Sequence, residues 1–139
     1  QYQTVATTLV DSKNRNRTTQ YTNAEDYTDA SFGSDLMQNR HMHAQPVTTT
    51  TWISSASNPI SKPENTYAAI TSNDPQVPYV LPNSVTTYLD GQSQNASVTA
   101  TYAYDTYGNI IQVEKDNFSP VAYIWGYVYS RPVAQVLLI

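Results

Sequence analysis

The stretch TYAYDTYGNIIQVEKDN, residues 101–117, decides the fold prediction because a turn signal separates two strand-like runs. Before the turn, alternate residues would fall on opposite faces of a strand. One face would carry Val98, Ala100, Tyr102 and Tyr104, and the other Thr99, Thr101 and Ala103. Alternation with a period of two is typical of a strand that buries one face. The run from Ile110 to Glu114 is then expected to return antiparallel, so the stretch predicts a β-hairpin.

The turn between these runs contains Asp105, Gly108 and Asn109. A short carboxylate at its start can accept hydrogen bonds from backbone amides two and three residues on, which closes an Asx turn. Gly108 supplies a positive φ without steric cost, and Asn109 tolerates the same conformation. A catalytic or cation-binding Asp105 would need partners, but Glu114 and Asp116 lie on or past the returning strand. Asp105 is therefore predicted to cap a hairpin.

The composition extends the strand prediction to the whole chain. Of the 139 residues, 13% are charged and the formal net charge is -4. Valine, isoleucine, leucine and phenylalanine are scarce, whereas the chain has 12 Tyr, 2 Trp and 18 Thr. Aromatic and β-branched residues favour pleated, half-buried surfaces. We predict an all-β chain with a thin, tyrosine-lined interior.

The same composition argues against several classes of function. Seven Lys and Arg are scattered, and the one cluster, from Lys13 to Arg17, predicts a solvated loop rather than a nucleic-acid surface. The sequence has no cysteine, which excludes disulfides and thiol chemistry. No run of 18 apolar residues occurs, so no membrane span is predicted. No nucleophile elbow or glycine-rich phosphate loop occurs, and we expect no enzyme activity, cofactor or metal.

Further elements are expected along the chain. The predictions are a strand from Gln1 to Val10, a loop from Asp11 to Asp29, a short helix from Ser34 to Asn39 capped by Ser34, strands over Arg40 to Ser54, Thr66 to Thr71 and Ser84 to Leu89, and an extended proline-rich segment from Asn73 to Asn83. An Asp90-Gly91 turn should end the last of these strands. Ala96 to Ile139 forms a dense series of strands with loops at Pro120 and Pro132.

Two groups of side chains are candidates for ligand binding. His41 and His43 would share one face of a strand and could bind a metal, with a third ligand from Asp35 or from a residue far away in the sequence. Paired strand histidines are usually surface residues, however. The aromatic residues Tyr123, Trp125, Tyr127 and Tyr129 also alternate, so that one strand face would carry all four. They predict either packed core or a platform for carbohydrate.

The sequence from Thr101 to Val136 resembles the YD-repeat, the tyrosine–aspartate repeat of the Rhs family. Tyr104, Asp105, Gly108, Asn109 and Ile110 occupy the repeat positions, and a Trp-Gly-Tyr element follows at Trp125 to Tyr127. The second element looks like the segment that follows the repeat in divergent Rhs-like surface proteins of Gram-negative bacteria. One repeat is clear, and no C-terminal cargo or self-cleavage motif follows.

The resemblance implies an antiparallel hairpin strip of YD-repeat type. In the family such strips form part of a larger β-shell. Residues 1–139 would be one β-rich segment of a larger repeat protein, with the YD-like hairpin and Trp-Gly-Tyr region at 96–139. The implied function is structural, in an extracellular or bacterial cell-surface protein, with adjacent repeats or another protein chain as partner. The alternative is a carbohydrate-binding β-sandwich module.

The C-terminal sequence PVAQVLLI raises a separate expectation. An apolar edge strand is a template for pairing with another strand. We expect the strand from Val133 to Ile139 to be covered by another chain or by the N-terminal strand, Tyr2 to Val10.

Overall fold

The computed structural model describes residues 5–13, 15–53, 59–74, 78–88 and 97–138. Within these ranges the chain forms one nine-stranded sheet, and the strands lie side by side in their order along the sequence. The strands are β1 (Val5–Val10), β2 (Asn16–Asn23), β3 (Pro46–Ile53), β4 (Lys62–Ile70), β5 (Tyr79–Tyr88), β6 (Ser97–Tyr104), β7 (Ile110–Lys115), β8 (Val121–Gly126) and β9 (Arg131–Leu137).

All neighbouring strands pair antiparallel, so the predicted all-β antiparallel hairpin strip is confirmed. In the described residues β1 pairs only with β2, and β9 pairs only with β8. The expectation that the N-terminal strand covers the C-terminal strand is therefore wrong. Each connection returns the chain beside the strand it has just left, which places β1 and β9 at opposite edges of the sheet.

The predicted loop from Asp11 to Asp29 is wrong, because Asn16–Asn23 forms β2. The Asp11 carboxylate closes the preceding turn by accepting hydrogen bonds from the backbone amides of Lys13 and Arg15, each at 2.9 Å. Hydroxyl groups then link neighbouring strands, as in the 3.3 Å contact between Thr19 and Thr51. Threonine hydroxyl groups on neighbouring strands thus form hydrogen bonds with one another across the sheet. The sequence of β2 alone does not reveal this pairing, because its polar residues resemble those of a loop.

The connection between β2 and β3 supplies half of the buried residues of the small core. It contains two short 3-10 turns, Ala24–Asp26 and Ser31–Gly33, and the helix α1, Ser34–Asn39. The predicted helix is confirmed, but Gly33 rather than Ser34 is its N-cap, and the Ser34 hydroxyl donates to the Asp29 carbonyl. The buried hydrophobic core residues of the described ranges come from this connection and from the strands beneath it: Ala24, Met37, Val47 and Val80.

Gly33 brings this connection close to the sheet. Its φ is +77°, and a Cβ atom there would lie 2.2 Å from the carbonyl oxygen of Tyr67 on β4. Glycine is required here because the close approach to another backbone leaves no room for Cβ, and the left-handed backbone also favours glycine. Tyr67 itself packs against the core cluster. The connection is thereby fixed over β3, β4 and β5.

Prolines account for several differences from the predicted strand bounds. Pro46 begins β3, so the predicted strand from Arg40 to Ser54 starts late. Pro82 lies inside β5 opposite a register shift between Thr66 and Tyr67, and Pro132 lies inside β9 opposite a shift at Ile124. Bulges accommodate a residue that cannot donate to the ladder, so both strands continue through a proline. The Asp90-Gly91 turn lies outside the described residues.

Met37→Ala tests whether the connection stabilises the sheet. Met37 is fully buried, so we expect its truncation to lower the free energy of unfolding by about 2–5 kcal/mol through lost transfer energy and a residual cavity. Leu9→Ala, at a side chain that is 68% exposed, is the matched control and should change stability by less than about 0.5 kcal/mol. Urea unfolding followed by circular dichroism measures both. Equal losses would contradict this location of the core.

Candidate functional site

The turn between β6 and β7 is closed by the Asp105 side chain. Its Oδ1 accepts hydrogen bonds from the backbone amides of Tyr107 and Asn109, each at 2.9 Å, and its Oδ2 accepts one from the Asn109 side chain at 3.1 Å. The carboxylate therefore binds amides two and four residues on. The amide three residues on, that of Gly108, donates instead to the Asp105 carbonyl at 3.1 Å. Gly108 has φ +84°, in the left-handed region that the sequence predicted.

These contacts determine the ionisation of Asp105. Burial acts to raise the pKa of its carboxyl group, but the opposing hydrogen bonds from the backbone and side chain of Asn109 and from Tyr107 are stronger together. The pKa of Asp105 is accordingly lowered from its ordinary value of 3.8. The turn itself thus occupies three of the roughly four acceptor positions of this carboxylate, which favours a structural role.

The turn between β8 and β9 has a left-handed backbone at three consecutive residues. Tyr127, Val128 and Tyr129 have φ values of 50°, 58° and 60°. Two bonds from Ser130 close the turn: its amide donates to the Gly126 carbonyl at 3.2 Å, and its hydroxyl donates to the Tyr127 carbonyl at 2.6 Å. Tyr127 is 74% exposed. Non-glycine residues are strained in this region, most of all a β-branched one.

This turn overturns the predicted four-residue aromatic face. Because β8 ends at Gly126, Tyr123 and Trp125 remain on the strand whereas Tyr127 and Tyr129 belong to the turn. The Tyr129 ring stacks instead on Tyr107 of the neighbouring turn, with ring centroids 4.3 Å apart and planes 18° apart. The alternation of side chains between the two faces of a strand ends where the chain reverses direction, so Tyr127 and Tyr129 do not share the face of Tyr123 and Trp125.

The two turns are also joined by a hydrogen bond. The Asn109 side-chain amide, which holds Asp105, donates a second bond to the Tyr129 carbonyl at 2.9 Å. With the stacked tyrosines, this bond connects the β6–β7 turn to the β8–β9 turn. The repeat pattern predicted Asn109 as a turn residue only. Its second role depends on how adjacent hairpins align, which no local pattern encodes.

An apolar groove of about 460 Å³ lies on one face of β7, β8 and β9. Its lining comes from all three strands: Ile110, Val113, Tyr123, Trp125, Pro132, Val133, Ala134 and Gln135. The Trp125 indole N–H donates to the Ile110 carbonyl at 2.7 Å, so it is not available to a ligand. The groove therefore offers apolar surface from Tyr123 and Trp125 rather than a set of polar contacts.

A row of paired side chains continues this face across the strands. Tyr102 pairs with Val113, Val113 with Val121, and Val121 with Leu137. A second groove of about 440 Å³ lies over the same row, next to Phe118. Residues that pair directly in a ladder project to the same side. This row of side chains is thus continuous and apolar from β6 to the edge strand, with Lys115 and Ser119 beside it.

His41 and His43 lie between α1 and β3, not on a strand, which corrects their predicted placement. His41 Nδ1 is 3.4 Å from His43 Nε2, and His43 Nδ1 contacts the Glu25 carboxylate. The neighbouring acid is thus Glu25 and not Asp35. Among the described residues, no group of three His, Cys, Asp or Glu side chains is arranged to hold a metal ion.

A scan against protein-family models and searches of curated proteins and of solved structures found no match to this chain. In the ranges that the structure describes, no helix has the length and apolar character needed to cross a membrane.

Gly108→Val tests the turn geometry. We expect it to lower the free energy of unfolding by about 1–3 kcal/mol, because a β-branched residue resists positive φ. A Cβ atom there would lie 3.4 Å from the Tyr79 ring, so crowding is minor and backbone strain dominates. Gly108→Asn is the matched control, since asparagine tolerates the left-handed region and should cost much less. Equal midpoints of chemical unfolding for the two variants would contradict this explanation.

Asp105→Asn tests the ionised carboxylate. A folded-state pKa below the unfolded one stabilises the fold above the ordinary carboxyl pKa, and this stability is lost as the pH falls through the folded-state value. The wild type should therefore be more stable than the variant near neutral pH, and the difference should shrink below about pH 4. Thermal unfolding of both proteins across this range measures it. A difference independent of pH would show that the charge does not hold the turn.

Proposed function

We propose that this chain is a structural segment of an Rhs-like YD-repeat protein that packs edge-to-edge with neighbouring repeats or with a partner chain. The observation that carries the proposal is the edge strand β9. All seven of its residues are exposed, and three of them, Val133, Val136 and Leu137, are large and apolar. Such an edge favours pairing with a further strand.

The topology supports this function. Each hairpin of the sheet pairs with the hairpin before it, which is how a strip grows by nearest-neighbour contacts in repeat proteins. The hydrogen bond from Asn109 to the Tyr129 carbonyl aligns two neighbouring hairpins without the support of a large hydrophobic core. The Asp105 carboxylate is occupied by its own turn, so the most distinctive residue of the motif acts in architecture rather than in chemistry.

The proposed location is extracellular or on a bacterial cell surface. The support for it is the resemblance of Thr101 to Val136 to Rhs-like surface proteins. We propose no catalytic residue, cofactor or metal, and adjacent repeats of the parent protein are the proposed partner.

Carbohydrate binding is the second candidate function. The groove beside Tyr123 and Trp125 favours it, because aromatic faces pack against the apolar faces of sugar rings. Tyr127 and Tyr129 do not extend this surface. The candidate thus rests on two aromatic residues instead of the four in the sequence pattern.

Light scattering combined with a glycan titration separates the two functions. We expect the wild-type chain to self-associate with increasing concentration and to show no response to oligosaccharides. The chain has two tryptophans, so Trp52→Phe leaves Trp125 as the sole indole reporter. A wild-type chain that stays monomeric, together with a saturable change in Trp125 fluorescence on adding oligosaccharide, would overturn the structural proposal and support the binding module.

A further inference from the structure

We propose that β9 of the isolated chain pairs antiparallel with β9 of a second copy, about a two-fold axis perpendicular to the sheet. This inference rests on the edge-to-edge packing proposed above and names its partner and geometry. It would join two nine-stranded sheets into one continuous sheet. The inference depends on three features of the described residues: the surface of β9, the contrast with β1, and the directions of the two edge strands.

The surface of β9 suits a partner strand. Val133, Val136 and Leu137 are 53%, 41% and 58% exposed, and Leu138 after the strand is 40% exposed. Arg131, at the start of the strand, is its only charged residue. Natural edge strands commonly carry charges or are covered, which prevents pairing with another chain. Pro132 and the bulge opposite Ile124 also limit pairing at the start of the strand. The residues from Ala134 to Leu137 carry no charge and are uncovered in the described part of the chain.

The exposed apolar surface is concentrated on this side of the sheet. Eleven of the fifteen exposed large hydrophobic residues in the described ranges lie at or after Tyr107. At the other edge, β1 exposes Leu9 and Val10, and it leads into a turn closed by the ion pair of Asp11 with Arg15 at 2.7 Å. Association that buries apolar surface is therefore favoured at β9 over β1.

Strand direction then decides how a second copy can fit. Since nine strands alternate in direction, β1 and β9 run the same way. A second copy placed by translation would set β9 against β1 in a parallel pair. Rotating that copy by 180° about an axis that lies in the sheet and is perpendicular to the strands would restore an antiparallel pair. This rotation would also move the apolar grooves of that copy to the opposite face of the sheet. Two β9 strands related by a perpendicular two-fold axis are antiparallel, and their grooved faces stay on the same side.

The two-fold arrangement is favoured physically for each of these reasons. Every pair in the sheet is antiparallel, and antiparallel ladders are slightly more stable per residue than parallel ones. If the axis passes near Ala134, each Arg131 lies opposite Leu137 of the other copy, so like charges do not meet. The grooves beside Val133 and Gln135 would then adjoin across the axis and form one longer apolar surface.

Cysteine cross-linking tests the geometry directly, because the chain has no cysteine of its own. Single variants Val133→Cys, Ala134→Cys and Gln135→Cys place one thiol near the expected axis. Facing residues of an antiparallel pair have Cα atoms roughly 4.5–5.5 Å apart, within the range that a disulfide spans. Thr7→Cys, at an exposed position of β1, is the matched control. Oxidised glutathione is the oxidant, and non-reducing gels with light scattering are the readout.

We expect a covalent dimer from at least one β9 variant and none from Thr7→Cys. Ala134→Lys should weaken the non-covalent dimer by at least about tenfold, since two like charges would face each other across the axis, while Thr7→Lys should not. Cross-linking only in mixtures of Thr7→Cys with a β9 variant would overturn the two-fold pairing but keep edge-to-edge packing. A chain that stays monomeric and cross-links at neither edge would overturn both proposals.

Discussion

The closing of each turn is the constraint on which this structure depends. A nine-stranded meander with four fully or nearly buried core hydrophobics in its described residues cannot be held by a large hydrophobic core. Its strands are held in register by turns and by ladder hydrogen bonds. The Asp105 carboxylate shows this most clearly, because it binds two backbone amides and the Asn109 side chain at once. The Asn109 side chain also donates a hydrogen bond to the Tyr129 carbonyl, which aligns the β8–β9 turn with the β6–β7 turn.

The apolar surface of the sheet is distributed unevenly as a result. The connection between β2 and β3 covers Val47 and Val80, so the first half of the sheet has a core. The Tyr104 hydroxyl, on β6, donates a hydrogen bond to the Pro82 carbonyl on β5 at 2.6 Å, and burial raises its pKa. The ladder pairs from Tyr102 through Val113 and Val121 to Leu137 continue the sheet face toward β9. No described segment covers the grooves over β7, β8 and β9 in the same way. This exposed apolar surface at one end of the sheet supports the proposed packing against neighbouring repeats or a partner chain.

Local signals in the sequence were sufficient for some elements and not for others. The sequence predicts the hairpin at Asp105 and the helix at Ser34–Asn39, because the signals for a turn and for a short helix lie within a few residues. The strand β2 was missed, since its threonines and asparagines resemble a loop until their hydroxyls meet those of neighbouring strands. Likewise, the sequence predicts a loop at Pro132, because a bulge opposite Ile124 is visible only in the paired strands.

The sequence by itself determined the all-β class and the Asp105 turn, because strand-favouring residues and an aspartate before a glycine act locally. Only the tertiary structure decided which side chains share a surface. It separated Tyr127 and Tyr129 from Tyr123 and Trp125, joined Asn109 to Tyr129, and placed β1 and β9 at opposite edges. The physical reason is that register between strands depends on contacts between residues far apart in sequence, and one bulge changes which faces meet.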